Sequence, residues 1–174
     1  LSSHDNKLIL LSPNLYYEEM INVKALADKL NIKLSGYSPN TFDESFADDW
    51  LKKADKTANR ASFKELQIDE TKEFFEKALN EAKTIFVLEN SYFEDKLNLL
   101  ENKKLISLFS HHCLTVGNSD IAVPVASFYE KSGSYINCDG IRQKVVSKLD
   151  KNSPMPTITT IIENIKSMIE KGTI

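Results

Sequence analysis

The chain has 174 residues with 41% apolar and 27% charged side chains, an ordinary globular composition. A domain of this length buries about 70% of the surface its unfolded chain exposes, so it needs no disulfide or metal to hold it together. A net charge of −3 and a pI near 5.7 argue against a nucleic-acid or anionic-membrane surface, since such binding runs on clustered Lys and Arg. No apolar run approaches the length of a membrane span, and the polar opening Leu1 to Lys7 lacks the apolar core of a signal peptide. The chain does not begin with Met, and the expectation is a single α/β domain, residues 1–174, excised from a larger chain. Its two cysteines, Cys113 and Cys138, form no C-x-x-C pair and suit a reducing compartment.

In chain order, Lys7 to Leu11 is a short continuous apolar run, the mark of a strand buried on both faces. Ser12-Pro13-Asn14 breaks it. Glu18 to Asn31 then carries Val23, Leu26, Ala27 and Leu30 at helical spacing, and Ile32 to Gly36 reads as a second strand. Parallel neighbours need such a crossover, so the fold class is α/β with a mostly parallel, Rossmann-like sheet flanked by helices. Thr41 to Glu44 predicts a helix start, because Phe42, Phe46 and Trp50 repeat every fourth residue. Residues 56–66 show no period and read as a loop. From Asp69, a candidate N-cap, Phe74, Phe75, Ala78, Leu79 and Ala82 make an apolar helical stripe.

Thr84 to Leu88 and Leu105 to Phe109 are the next strands, with a short helix between them on Phe93, Leu97 and Leu100. Ile121 to Val125 is a further strand, placed at an edge because Pro124 cannot donate to a ladder. The final helix follows Pro154 and Pro156, with Ile158, Ile161, Ile162, Ile165, Met168 and Ile169 along one side.

The chain holds only five glycines, and no G-x-G-x-x-G or Walker-type loop. A phosphate site wants backbone amides free to approach after the first strand, yet this chain places Ser12 to Tyr17 there. The turn after the third strand is Glu89-Asn90-Ser91, and a carboxylate at Glu89 repels phosphate. His111, His112 and Cys113 are all metal-ligand types, but adjacent residues on an extended segment point to opposite sides. Only folding could bring Cys138 to complete a set, and the expected reading is a strand-end turn. Cys113 with a neighbouring His lacks a third orienting group for nucleophilic work. Asp120 and Asp139 read as surface or capping carboxylates.

Residues 119–143 are more specific: a short strand with a Pro, then Glu-Lys-x-Gly, an Asn, an acid-Gly pair and a Gln. The pattern rests on Asp120, Pro124, Glu130, Lys131, Gly133, Asn137, Asp139, Gly140 and Gln143. It resembles a signature of the molybdopterin oxidoreductases, most closely the large peripheral-arm subunits of NADH–quinone oxidoreductase, respiratory complex I. Residues 71–109 fit that family's α/β domain less specifically, and residues 1–70 fit only as fold. The resemblance implies a domain without catalytic, cofactor-binding or metal-binding residues of its own, with iron–sulfur clusters elsewhere in the parent. It also implies other subunits of a membrane-associated respiratory complex as partners, and a cytoplasmic location peripheral to the inner membrane. An active molybdopterin enzyme, such as a formate dehydrogenase or nitrate reductase, is the alternative parent. The signature residues Asp120, Pro124, Glu130, Gly133, Asn137, Gly140 and Gln143 are expected to be structural. Gly133 and Gly140 are both read as turn positions.

Overall fold

The computed structural model describes residues 6–39, 41–147, 149 and 154–173. Strand β1 (Lys7–Leu11) directs Leu8 and Leu10 to one face of the sheet and Ile9 and Leu11 to the other, and all four are buried. A strand buried on both faces needs helices on both, and the chain supplies them. Helix α1 (Tyr17–Leu30) leads to β2 (Lys33–Ser35). Helices α2 (Ala61–Glu65) and α3 (Lys72–Glu81) lead to β3 (Thr84–Leu88). Two 3₁₀ turns precede β4 (Lys104–Phe109), and the single turn α4 (Leu114–Gly117) precedes β5 (Ile121–Pro124). The pairings within the five-stranded sheet are parallel, and its order is β2-β1-β3-β4-β5, a doubly wound α/β arrangement. β5 is an edge strand, as the Pro124 argument requires.

A separate antiparallel hairpin, β6 (Gly133–Ile136) and β7 (Arg142–Val145), follows the sheet. Helix α5 (Ile158–Glu170) closes the described chain, its N-terminus capped by the Thr157 hydroxyl accepting from the Thr160 N–H at 3.1 Å. It packs with α1 over Ile9, Leu11, Leu88 and Leu108, through the buried Ile158 and Ile162. The opposite face carries Phe75, Ala78 and Leu79 of α3 with Phe93 and Leu100. Beside α5 lies a cavity of about 330 Å³ with a wholly aliphatic and aromatic wall that includes Phe86, Ile106, Val123 and Ile165. Among the described residues, no helix is long and apolar enough to cross a membrane.

Three local expectations are corrected. The Phe42, Phe46, Trp50 spacing builds no α-helix; a 3₁₀ turn spans Glu44–Phe46, and all three aromatic side chains are exposed. The Asp48 carboxylate there accepts the N–H groups of Trp50, Leu51 and Lys52, a local alternative that competes with helical bonds. Residues 61–65, expected as loop, form α2 and bury Phe63 completely, in a helix too short to display a period. The third concerns Gly133, which opens β6 instead of occupying a turn; its φ is not left-handed. A Cβ at that position would stand 2.4 Å from Tyr16 Cγ, so the glycine serves close packing. Gly140, at φ +77° with open space around it, is the turn glycine. Smaller shifts follow: α3 is capped by Thr71 while Asp69 accepts from Thr71, and the helix expected around 93–100 is two 3₁₀ turns.

Candidate functional site

In a doubly wound sheet the strand order reverses where β1 meets β3, and ligands bind in the crevice outside the carboxyl ends of those strands. Here that crevice has a volume of about 230 Å³, and its polar lining includes Ser38, Thr41, Lys56, Thr57 and Ser91. Its floor is Asn90, which is 1% exposed. The Asn90 amide donates to the Leu11 carbonyl at 2.7 Å and the Tyr37 carbonyl at 3.1 Å, and accepts from the Tyr92 N–H. One side chain thus ties the ends of β1, β2 and β3 together. Glu89, in the left-handed region at φ 53°, stands at the rim and accepts from the Ser110 N–H, with His111 3.7 Å from its other oxygen.

Ser12 to Asn14, which line this crevice, lead into the N-terminus of α1 at Tyr17, and helix N-termini after a first strand are the usual phosphate cradle. The chain fills this one with its own carboxylates. Glu19 accepts from the Tyr16 N–H at 3.1 Å and forms an ion pair with Lys131, whose ammonium lies 2.8 and 2.9 Å from its two oxygens. The Lys131 and Glu19 side chains are 7% and 4% exposed, so the pair is buried. Glu18 accepts from both the N–H and the hydroxyl of Ser134 on β6. Burial pushes the Glu18 carboxyl up, but the two Ser134 bonds, its own backbone N–H and the charge of Arg142 together hold the group below its ordinary range.

The hairpin is held there by three further contacts. Asn59, fully buried, donates to the Leu15 carbonyl at 2.7 Å and accepts from the Ile136 N–H at 2.6 Å. The Tyr16 hydroxyl donates to the Phe128 carbonyl, and its ring lies 4.6 Å from that of Tyr135. Arg142 stacks its guanidinium 3.9 Å from the Tyr17 ring and bonds Glu65. Burial raises the phenol pKa of both Tyr16 and Tyr135, so both stay neutral.

The signature residues lie at separate points of the fold. Asp120 accepts from the Leu105 N–H at 2.7 Å while its own N–H donates back to the Leu105 carbonyl, clamping β5 to β4. Pro124 ends β5 opposite Phe109. Glu130 accepts from the N–H and hydroxyl of Ser127, closing the turn before the hairpin. Asn137 accepts from the Asp139 and Ile141 N–H groups across the turn that Gly140 completes. Gln143 is exposed on β7 opposite Tyr135.

The 111–113 segment is a strand-end turn. Cys113 precedes α4, where Glu94 accepts from the Leu114 N–H, from the Thr115 N–H and from the Thr115 hydroxyl. Burial pushes the Glu94 carboxyl up, yet the hydrogen bonds of Thr115, Cys113 and Leu114 win and hold it at about 2. Burial pushes the Cys113 thiol up, and the nearby Glu94 carboxylate adds to this, the opposite of an activated nucleophile. Cys138 lies elsewhere, in a surface depression with Lys53, Arg60 and Asp139. Among the described residues, no group of three or more His, Cys, Asp or Glu could hold a metal ion.

Sequence reasoning does not anticipate the Glu19–Lys131 pair, the Glu18–Ser134 contact or the buried Asn59. Only Glu19 carries a signal, since it stands at the third helical position where a capping-box acid belongs, behind an atypical Tyr. No protein-family model matches the chain, and no curated protein matches it.

Proposed function

We propose that this chain is a structural α/β domain of the large peripheral-arm subunit of a proton-pumping NADH–quinone oxidoreductase. It supports electron transfer from donor to quinone without binding a cofactor itself, while iron–sulfur clusters lie elsewhere in the subunit. Its partners are the other subunits of that membrane-associated complex, on the cytoplasmic side.

The observation that carries this reading is the self-occupied N-terminus of α1. The position where related architectures cradle phosphate holds Glu18 and Glu19, and Lys131 from the signature segment is committed to Glu19. A dinucleotide arriving there would meet two carboxylates and displace a docked hairpin. The test is an affinity tag on the full-length protein, followed by gentle extraction from the native membrane. Co-elution with NADH–quinone reductase activity supports the proposal, and elution free of that activity overturns it.

The polar switch-point crevice favours a second reading, a cofactor-holding fragment of an active molybdopterin oxidoreductase such as a formate dehydrogenase or nitrate reductase. Its hydroxyls and Lys56 suit a polar ligand, although Glu89 stands at the rim. Formate- or nitrate-dependent turnover in the tagged preparation would favour it.

A further inference from the structure

The loop between Phe42 and Lys56 is built to hold its tip outward. Its base is closed by a bridge between Phe42 and Asp55 and by the Asp43 N–H donating to the Ala54 carbonyl at 2.9 Å. Phe42 and Phe46 are covered in part by cations, Arg60 over the first ring and Lys52 and Lys56 over the second. Asp48 gathers three successive N–H groups at 2.7–2.9 Å, which fixes the backbone of the tip. On that fixed backbone Trp50 and Leu51 are each 90% exposed. Two adjacent large apolar side chains on a pre-organised turn lose little entropy on binding, and Trp is the residue most enriched at binding hot spots.

The charge around the tip selects the partner. Residues 42–56 contain five carboxylates and three lysines. Lys53 faces Asp139 at 3.7 Å and Lys56 faces Asp43 at 3.5 Å, while Lys52 lies over Phe46. Backbone hydrogen bonds hold the Asp48 carboxyl below its ordinary range, and five carboxylates against three lysines leave the loop as a whole with an anionic collar. An anionic bilayer repels such a collar, because membrane anchors pair Trp with free Lys or Arg. A second copy also meets it with the same net charge of −3.

We propose that Trp50 and Leu51 form a docking knuckle that inserts into an apolar pocket with a cationic rim on a neighbouring protein subunit. The inference rests on the reading above that the chain works within a multi-subunit complex. The experiment places a photo-reactive benzoylphenylalanine at position 50 of the full-length protein, in its native membrane assembly, and irradiates it. The expected result is one adduct with one other subunit, identified by mass spectrometry. With that purified subunit as the probe, the double variant Trp50→Ala, Leu51→Ala should raise the dissociation constant about thirtyfold or more, the scale of a hot spot. The double variant Glu44→Lys, Asp49→Lys should also weaken binding. All of these variants alter exposed side chains, so an unchanged melting temperature controls for folding. Absence of an adduct overturns the inference, as does an adduct with lipid only, with a second copy or within the same chain. A dissociation constant unchanged within twofold does so too. An adduct formed in an assembly without NADH–quinone reductase activity leaves the knuckle standing and removes the functional reading instead.

Discussion

Replacing Gly133 by Ala tests whether the signature segment is a packing device or a set of turns. A Cβ there would stand 2.4 Å from Tyr16 Cγ, 2.7 Å from its Cβ and 2.9 Å from Cδ1. These are the near atoms of a side chain that is 1% exposed and anchored through its hydroxyl to Phe128, so the ring cannot simply swing aside. Overpacking of this kind costs about 1–3 kcal/mol, and the upper end applies because the overlap approaches 1 Å. Reduced freedom of the unfolded chain returns about 0.4–1 kcal/mol, leaving a net loss of about 2 kcal/mol. A loss of that size lowers the melting temperature by about 4–8 °C in a chain of this length. At Gly140 the added Cβ meets nothing within 4 Å, and the cost comes from φ +77° alone, about 1 kcal/mol. Asn, which tolerates left-handed backbone, should therefore rescue position 140 but not position 133. The assay is urea unfolding followed by far-UV circular dichroism, since Trp50 is too exposed to report on the core. A Gly133→Ala variant within about 0.5 kcal/mol of the parent, or a Gly140→Ala variant less stable than Gly133→Ala, would refute the packing argument.

Lys131→Met should destabilise the domain by about 3–5 kcal/mol, because it leaves Glu19 buried without its partner. Adding Glu19→Gln, which keeps an acceptor for the Tyr16 N–H, should recover a large part of that loss in the same denaturation assay. Glu94 and Glu18 both have depressed carboxyl pKa values in the folded chain. Their stabilisation is complete above the unfolded carboxylate value and fades as pH falls through the folded ones, about 2 for Glu94. Glu94→Gln should therefore flatten the loss of stability between about pH 5 and pH 2, by about 1–2 kcal/mol after allowance for partial solvent screening. Ile165→Phe should be neutral or stabilising by up to about 1 kcal/mol, because its side chain borders the open apolar cavity. Its effect is read as a shift in melting temperature.

Much of the sheet is legible because its strands are short apolar runs separated by turn residues, and burial on both faces leaves no other role for Leu8 to Leu11 or Ile85 to Leu88. Pro124 marks an edge strand by its missing N–H, and the isoleucine stripe of α5 marks a core-facing helix. The loop carrying Phe42, Phe46 and Trp50 misleads because helical spacing is a signal of burial, and these side chains are not buried. Periodicity also misses α2, whose contribution is a single buried Phe63. Gly133 is a constrained position, but the constraint is Tyr16 and not a turn, and Tyr16 is distant in sequence and invisible without the fold. The same holds for Glu19 with Lys131 and Asn59 with Ile136. Long-range polar pairs leave no local pattern, and the α1 N-terminus that they close lies beyond the reach of spacing rules.

The central claim is that this domain holds no cofactor within a complex whose electrons pass through iron–sulfur clusters. The measurement that tests it most directly is iron, molybdenum and pterin analysis of the full-length protein purified from its native membrane. The account predicts stoichiometric iron with neither molybdenum nor pterin. Stoichiometric molybdenum and pterin would contradict it.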